Sequence, residues 1–332
     1  MLRNDLYQVT EETLDSLSRL WGDAGNRLTW PCLFVSPPWL KAWMGSFGSH
    51  LTPYLRAVWI NKRIIGVAPL TINLADCSAS FMGDASVCDY QDFITVPGRE
   101  IEFYECLIRD LRKRNIKFLV LESVRADSSI LTRLRGLVAH IGCQMVIEDQ
   151  DVALAVELPQ TWEKYIAQLS GKQRHEIRRK FRRLYEAGRI SFILVENAVD
   201  TAEEMATFLK LFKKNRRDKA AFMNQQMTVF FRFLEKNLAE TGILKLYELQ
   251  INGIAAAVVM CFDFQSTRYL YNNAYDNSFN KLSVGIMSKI LSLKDAIQSG
   301  LKTYDFLKGG ENYKQRLGGK PIKLFNCRVE LV

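Results

Sequence analysis

Two periods of apolar residues interleave along the chain, one of helices and one of strands. From Leu6 to Trp21 apolar positions recur at helical spacing and predict an amphipathic helix opened by Asp5 or Thr10. Pro31 to Pro38 is rich in breakers and leads into a short helical stretch, Trp39 to Phe47. The period then changes. Tyr54 to Ile60 and Ile64 to Ile72 are β-branched runs separated by Asn61-Lys62-Arg63, which predicts a hairpin. Phe93 to Val96 reads as a short strand, Glu100 to Arg114 as a helix with Ile101, Tyr104, Leu107, Ile108 and Leu111 at helical spacing, and Phe118 to Leu121 as a buried strand. A helix over Ser128 to Ile141 and strands over Cys143 to Glu148 and Val152 to Leu158 complete the first half.

The second half repeats this order. Trp162 to Ala187 is helical, Ile190 to Val195 a strand, and Thr201 to Lys219 and Asn224 to Glu240 are helices. A hairpin follows, Leu244 to Ile251 and Ile254 to Phe262 around Asn252-Gly253. Strand Thr267 to Asn273, helix Ser283 to Ser299 closed by Gly300, and strand Thr303 to Leu307 come next. LRAVWINKRIIGVAPLTI from Leu55 and LYELQINGIAAAVVMCF from Leu246 share a strand, an identical Ile-Asn pair at the turn and an apolar return strand. Each is followed by a helix and a buried strand, so duplication of one α/β unit is the economical explanation.

Composition changes the picture only through charge. The 332 residues are 48% hydrophobic and 24% charged, ordinary globular usage that excludes a disordered chain or a collagen-like repeat. The formal net charge of +9 is concentrated. Nine basic residues face three acidic ones between Thr161 and Ile190, and seven face three between Lys302 and Val332. Two basic segments on a nearly neutral body predict local docking of polyanions. The seven cysteines form no CxxC pair, which argues against a zinc cage or disulfide framework, and the longest apolar run, Ile254 to Phe262, is about half of the ~18–20 residues of a spanning helix. With no secretory h-region near the first residue, a cytoplasmic location is expected, at most peripheral to the inner face of a membrane.

Three segments carry a family resemblance. SVGIMSKILSLKDAIQSGLKTYDFLKGGENYKQRLGG resembles the end of CelD/BcsL-like members of the GNAT N-acetyltransferase superfamily, with G-x-x-x-YDFL-x-G and YK-x-R-x-G elements. LSGKQRHEIRRKFRRLYEAG is similar to the family's basic helix, and FMGDASVCDYQDF to its G-x(n)-DY-x-DF segment. The likeness extends to Fem-type aminoacyltransferases with two GNAT-like lobes. It implies an α/β (α+β) fold of two tandem lobes, residues 1–159 and 160–332, each a mixed central sheet flanked by helices. It also implies an N-acyltransferase with acetyl-CoA or a longer acyl-CoA as cosubstrate and no metal. The acceptor would be an amine of a sugar, a lipid or a cell-envelope or exopolysaccharide precursor. Two rivals remain: aminoacyl transfer from tRNA, or an inert module that binds RNA or an anionic membrane.

In the implied architecture the donor lies where Thr267–Asn273 and Thr303–Leu307 part, with its pyrophosphate at the next helix N-terminus. Lys281, Ser283 and Gly285, with Asn273, are the expected cofactor contacts, because a cation, a hydroxyl and a glycine there suit an anion. The other reading is a capped helix with a packing glycine, and the R/Q-x-x-G-x-G/A signature of ordinary GNAT enzymes is absent. Asp305, Tyr313 and Lys314 are expected to be catalytic, with Lys308 and Arg316 binding substrate; a salt bridge from Asp305 to Lys308 or Arg316 is the alternative. Asp89 is a candidate base, with Tyr90 and Asp92 beside the acceptor, unless the aspartates cap a turn. Arg178 and Arg182 of the basic helix are expected to contact the polyanion, whereas His50, His140 and His175 have no metal-ligand spacing.

Overall fold

The computed structural model describes residues 7–195, 198–215 and 223–331. It divides into two compact units, Met1–Val152 with Ile322–Val332, and Ala153–Pro321. The division expected at 159/160 differs from this at both ends, because the last strand of the chain packs with the first unit.

The sheet of the first unit runs β1 (Tyr7–Glu11), β2 (Thr52–Ile60), β3 (Arg63–Asn73), β4 (Ser78–Phe81), β6 (Phe118–Arg125), β13 (Lys320–Glu330), with β5 (Ile94–Thr95) on β3. Every pairing is antiparallel except β4 with β6. Helices α1 (Leu14–Gly22) and α2 (Pro37–Phe47) lie between β1 and β2 in the chain, α3 (Glu100–Lys113) precedes β6, and α4 (Arg135–His140) follows it. The apolar face of α3 supplies Phe103, Leu107 and Leu111 to a core shared with Leu70, Phe81, Leu119 and Val329.

In the second unit the order is β8 (Ile190–Val195), β9 (Leu244–Ile251), β10 (Ile254–Phe264), β11 (Thr267–Tyr275), β12 (Thr303–Lys308), then the end of β7 (Gln144–Glu157). Only β11 and β12 are parallel. Its helices are α5 (Trp162–Gln168), α6 (Gly171–Glu186), α7 (Ala198–Asn215), α8 (Gln225–Leu238), α9 (Val284–Gln298) and α10 (Asn312–Arg316). Strand for strand, this order matches that of the first unit, with the single parallel pair in the same place and a helix between its strands. The two Ile-Asn turns also match: Asn61-Lys62 and Asn252-Gly253 all have positive φ, as a two-residue hairpin turn requires.

Several expectations are corrected. Tyr7–Glu11 is a strand, not the start of a helix; it pairs with β2 from Tyr7↔Ile60 to Glu11↔Arg56, and Thr13 caps α1 through a capping box with Ser16. Asp5 and Leu6 lie outside the described residues. Trp162–Ala187 breaks at Leu169-Ser170, because Ser170 exchanges capping hydrogen bonds with Gln173. The strands expected at Cys143–Glu148 and Val152–Leu158 are one, β7. Ser128–Ile141 contains a π-helical turn, Ile130–Leu134, ahead of α4. The end of the helix expected over Thr201–Lys219, past Asn215, also lies outside the described residues.

Candidate functional site

β11 and β12 pair only at Thr267↔Thr303, Arg268↔Tyr304 and Tyr269↔Asp305, although β11 runs on to Tyr275 and β12 to Lys308. Beyond Tyr269 and Asp305 the two strands part. Irregularities on both strands accompany the split. The β10–β11 register slips between Met260 and Cys261, leaving Tyr271 as an extra residue, and the β12–β7 register slips between Asp305 and Lys308. Leu307 has φ +62, and its N–H donates to Asp305 Oδ1 at 2.8 Å.

This bend occupies two of the expected catalytic residues. Asp305 is buried and braces the Leu307 backbone. Lys314 is 2% exposed, and its ammonium donates to the carbonyls of Leu307 (3.1 Å), Lys308 (2.5 Å) and Gly309 (3.0 Å) and pairs with Glu311 at 2.8 Å. Four acceptors for three protons leave no donor for a substrate, so Lys314 holds the bent strand end rather than gripping an anion. The other end of the parallel pair is fixed by Arg268, 1% exposed, which donates to both oxygens of Asp263 and to Asp295 of α9, all at 2.7 Å, and to Ser292 O at 2.9 Å.

Beside the start of α9, Asn273 of β11 donates to Val258 O (3.1 Å) and Ser288 Oγ (3.0 Å) and so fastens the helix to the sheet. Gly285 is a packing glycine: a Cβ there would stand 2.6 Å from the Tyr275 ring. We expect Gly285→Ala to destabilise the second unit by about 1–3 kcal/mol, measured by urea unfolding, since the ring or the helix must move. Ser283, at φ +56, makes no capping bond; its Oγ instead accepts from Lys180 of α6 at 2.9 Å. Lys281 is exposed on the 3-10 turn before it.

Beside this helix start is a groove of about 920 Å³ within the second unit. Lys172, Arg179 and Lys180 of α6 and Arg316 of α10 give it positive charge, while Ile286 and Ile290 of α9 give it an apolar wall. Its one carboxylate, Glu176, is held below the usual range by hydrogen bonds from Arg179 and Lys180. Tyr313 also lines the groove, with Lys289 Nζ 4.0 Å from its ring centroid; burial, then the Glu311 charge, push its phenol above the usual value, so it remains a proton donor. Arg178 and Arg182, expected to bind the polyanion, are exposed but do not line the groove, and Arg182 pairs with Glu186 at 3.8 Å. The cation that reaches the helix start is Lys180, which sequence reasoning did not separate from its neighbours. Lys308 is half-buried at the end of β12.

Asp89, Tyr90 and Asp92 belong to the first unit. Tyr90 is buried, edge-on to Phe34 with the Arg125 guanidinium 5.0 Å from its centroid, a packing role rather than an acceptor contact. Asp89 is half-buried. Asp92 accepts from Phe93 N–H at 2.8 Å, and burial pushes its carboxyl up to about 6 against the pull of hydrogen bonds from Ser128 and the backbone. Among the described residues no helix is long and apolar enough to cross a membrane, and no cluster of three metal-ligating side chains occurs.

The family model for an acetyltransferase (GNAT) domain matches residues 171–315, from the start of α6 into α10. That segment contains both parted strands, α9 and every residue of the groove except Ser170, Arg316 and Leu317. A search of curated proteins found no match. Solved structures share the fold across nearly the whole chain. FemX is 12% identical with a TM-score of 0.66, covering 96% of both chains. A conserved protein of unknown function from Bacteroides thetaiotaomicron is 12% identical with a TM-score of 0.64, covering 97% of this chain and 99% of its own. L-PGS from Bacillus licheniformis is 10% identical with a TM-score of 0.56, covering 96% and 90%. The chain therefore has a mixed α/β fold shared with these structures, and residues 171–315 of its second half match the acetyltransferase (GNAT) domain model.

Proposed function

We propose that the second unit is an N-acyltransferase that takes an acyl thioester of coenzyme A and transfers the acyl group to an amine. The observation that carries this reading is the parting of β11 and β12 beside the start of α9, within the segment that matches the acetyltransferase model. The groove suits such a donor, because it joins cations for phosphates to an apolar wall for a pantetheine arm. Free N–H groups of the first turn of α9 and the helix dipole favour the pyrophosphate. Lys180 stands in for the missing signature: its ammonium is already on Ser283 Oγ, where a diphosphate oxygen would compete for it. Lys172, Arg179 and Arg316 add charge, with Lys281 on the turn before the helix. Tyr313, kept protonated by burial, is placed to give its proton to a departing thiolate. The parted strands would offer unpaired backbone groups to the amides of the pantetheine arm. On this reading the acceptor is an amine of a sugar, lipid or cell-envelope precursor.

Thiol release from acetyl-CoA and longer acyl-CoAs in the presence of an amine panel tests the proposal. Lys180→Ala is expected to raise KM for the donor about tenfold while leaving kcat within about twofold, the pattern of a lost ground-state contact. No thiol release with any amine, together with turnover of aminoacyl-tRNA, would move the activity to the Fem kind. Failure of both, with salt-steep binding of RNA or anionic vesicles, would remove the catalytic reading.

A further inference from the structure

The buried side of α7 carries Thr201, Met205, Phe208, Leu209, Leu211 and Phe212, and one acid lies among them. Glu204 is 8% exposed, its Oε1 has no hydrogen-bond partner, and it forms no ion pair among the described residues. An isolated carboxylate inside an apolar stripe is costly and is retained only where something offsets it. The charge acting on Glu204 is a second acid, Glu248 of β9, which is half-buried and accepts from Gln250 Nε2 at 2.9 Å. Arg232 of α8 gives its Nη1 to the carbonyl of Ala202, two residues before Glu204, at 3.0 Å.

The position of this pair in the sheet is informative. Glu248 stands opposite Ile193 of β8 and Val258 of β10, and Val258 stands opposite Ala274, on the part of β11 that has already left β12. Directly opposed residues share a face, so Glu248 occupies the row that leads to the open end of the split, with Glu204 of α7 close enough to feel its charge. At the other end of the row Ile193 is 42% exposed, which leaves the edge of this face accessible.

We infer that Glu204 and Glu248 form the subsite that receives the ammonium group of the acceptor amine. Two carboxylates and an amide suit the three N–H donors of an ammonium, and they are too few ligands for a divalent cation. The inference rests on the acyl-transfer reading only for what happens next. Glu204 takes one proton from the ammonium; the freed amine nitrogen bonds to the thioester carbonyl carbon as the C–S bond breaks; Tyr313 gives its proton to the departing sulfur and is reprotonated by the second nitrogen-bound proton, and Glu204 returns its own to solvent. Burial, then the Glu248 charge, push the Glu204 carboxyl up to about 7, a value suited to this exchange.

The test uses no acyl donor, so it stands apart from the acyl-transfer assay. Because the carboxyl is raised in the folded state, its cost to stability is absent below the ordinary carboxylate pKa and full above about 7. Glu204→Gln is therefore expected to raise Tm by ~5 °C at about pH 8 and to leave it unchanged at about pH 4. n-Butylamine at roughly 20 mM is expected to raise the wild-type Tm at about pH 8 and to leave that of Glu204→Gln unchanged. Equal protection of both proteins, equal protection by potassium or magnesium chloride, or no protection of either would overturn the inference. Should Glu204→Gln fold poorly, Glu248→Gln provides the same comparison.

Discussion

Lys314→Met is expected to cost the second unit about 3–5 kcal/mol and to abolish acyl transfer in the same protein. Methionine fills the space of the lysine stem, so the loss comes from the ammonium. Without it three carbonyls at the bend, those of Leu307, Lys308 and Gly309, lose their donor, and Glu311 loses its partner. The bend itself is then weakened, because Leu307 remains at φ +62 only while its surroundings hold it there. Urea unfolding and thiol release, measured on one preparation, check the claim. A lost activity with an unchanged unfolding midpoint would mean that Lys314 acts on substrate after all.

Arg268→Met should be as damaging, by about 3–5 kcal/mol, for a different reason. The guanidinium is buried between Asp263 of β10 and Asp295 of α9, and removing it strands both carboxylates, although Asp295 still accepts from the Tyr247 hydroxyl at 2.6 Å. Since a 1 kcal/mol change moves the midpoint of a unit of this size by ~2–4 °C, the thermal transition of the second unit should fall by ~10 °C. Adding Asp263→Leu to Arg268→Met should recover part of the loss, because one of the stranded charges is then gone. No recovery would show that packing of the arginine stem, and not its charge, carries the stability.

Both predictions concern residues whose side-chain type was visible in the sequence and whose task was not. Asp305 and Lys314 stand out as polar groups in an apolar context, which marks them equally well for catalysis or for bracing. What decides between these is the path of the backbone, and Leu307 gives no warning of a left-handed bend where glycine would have done so. Local signals were read well: both Ile-Asn hairpins, the helix from Glu100, the strands of the parallel pair and the helix between them. The first strand was lost because Tyr7–Glu11 and α1 are short neighbours of different period, and a window spanning both averages to a helix. The last strand was lost because its partner, β6, is some two hundred residues away, as in Leu324↔Arg125, and no local pattern encodes that distance. Glu204 was legible, a charge on the buried stripe of a predicted helix, and its importance emerged only with its burial and its missing partner. Lys180 was legible only as one of many cations on α6 until Ser283 Oγ was found within 2.9 Å of it.

The central claim is that the donor lies in the second unit, between the parted strands and the start of α9. A crystal structure with coenzyme A bound tests it most directly. The diphosphate is expected within hydrogen-bond distance of the Val284 and Gly285 amides and of Lys180 Nζ, and the pantetheine arm between β11 and β12 beyond Tyr269 and Asp305. Coenzyme A ordered on the first unit instead, with the Val284 and Gly285 amides unengaged, would contradict it.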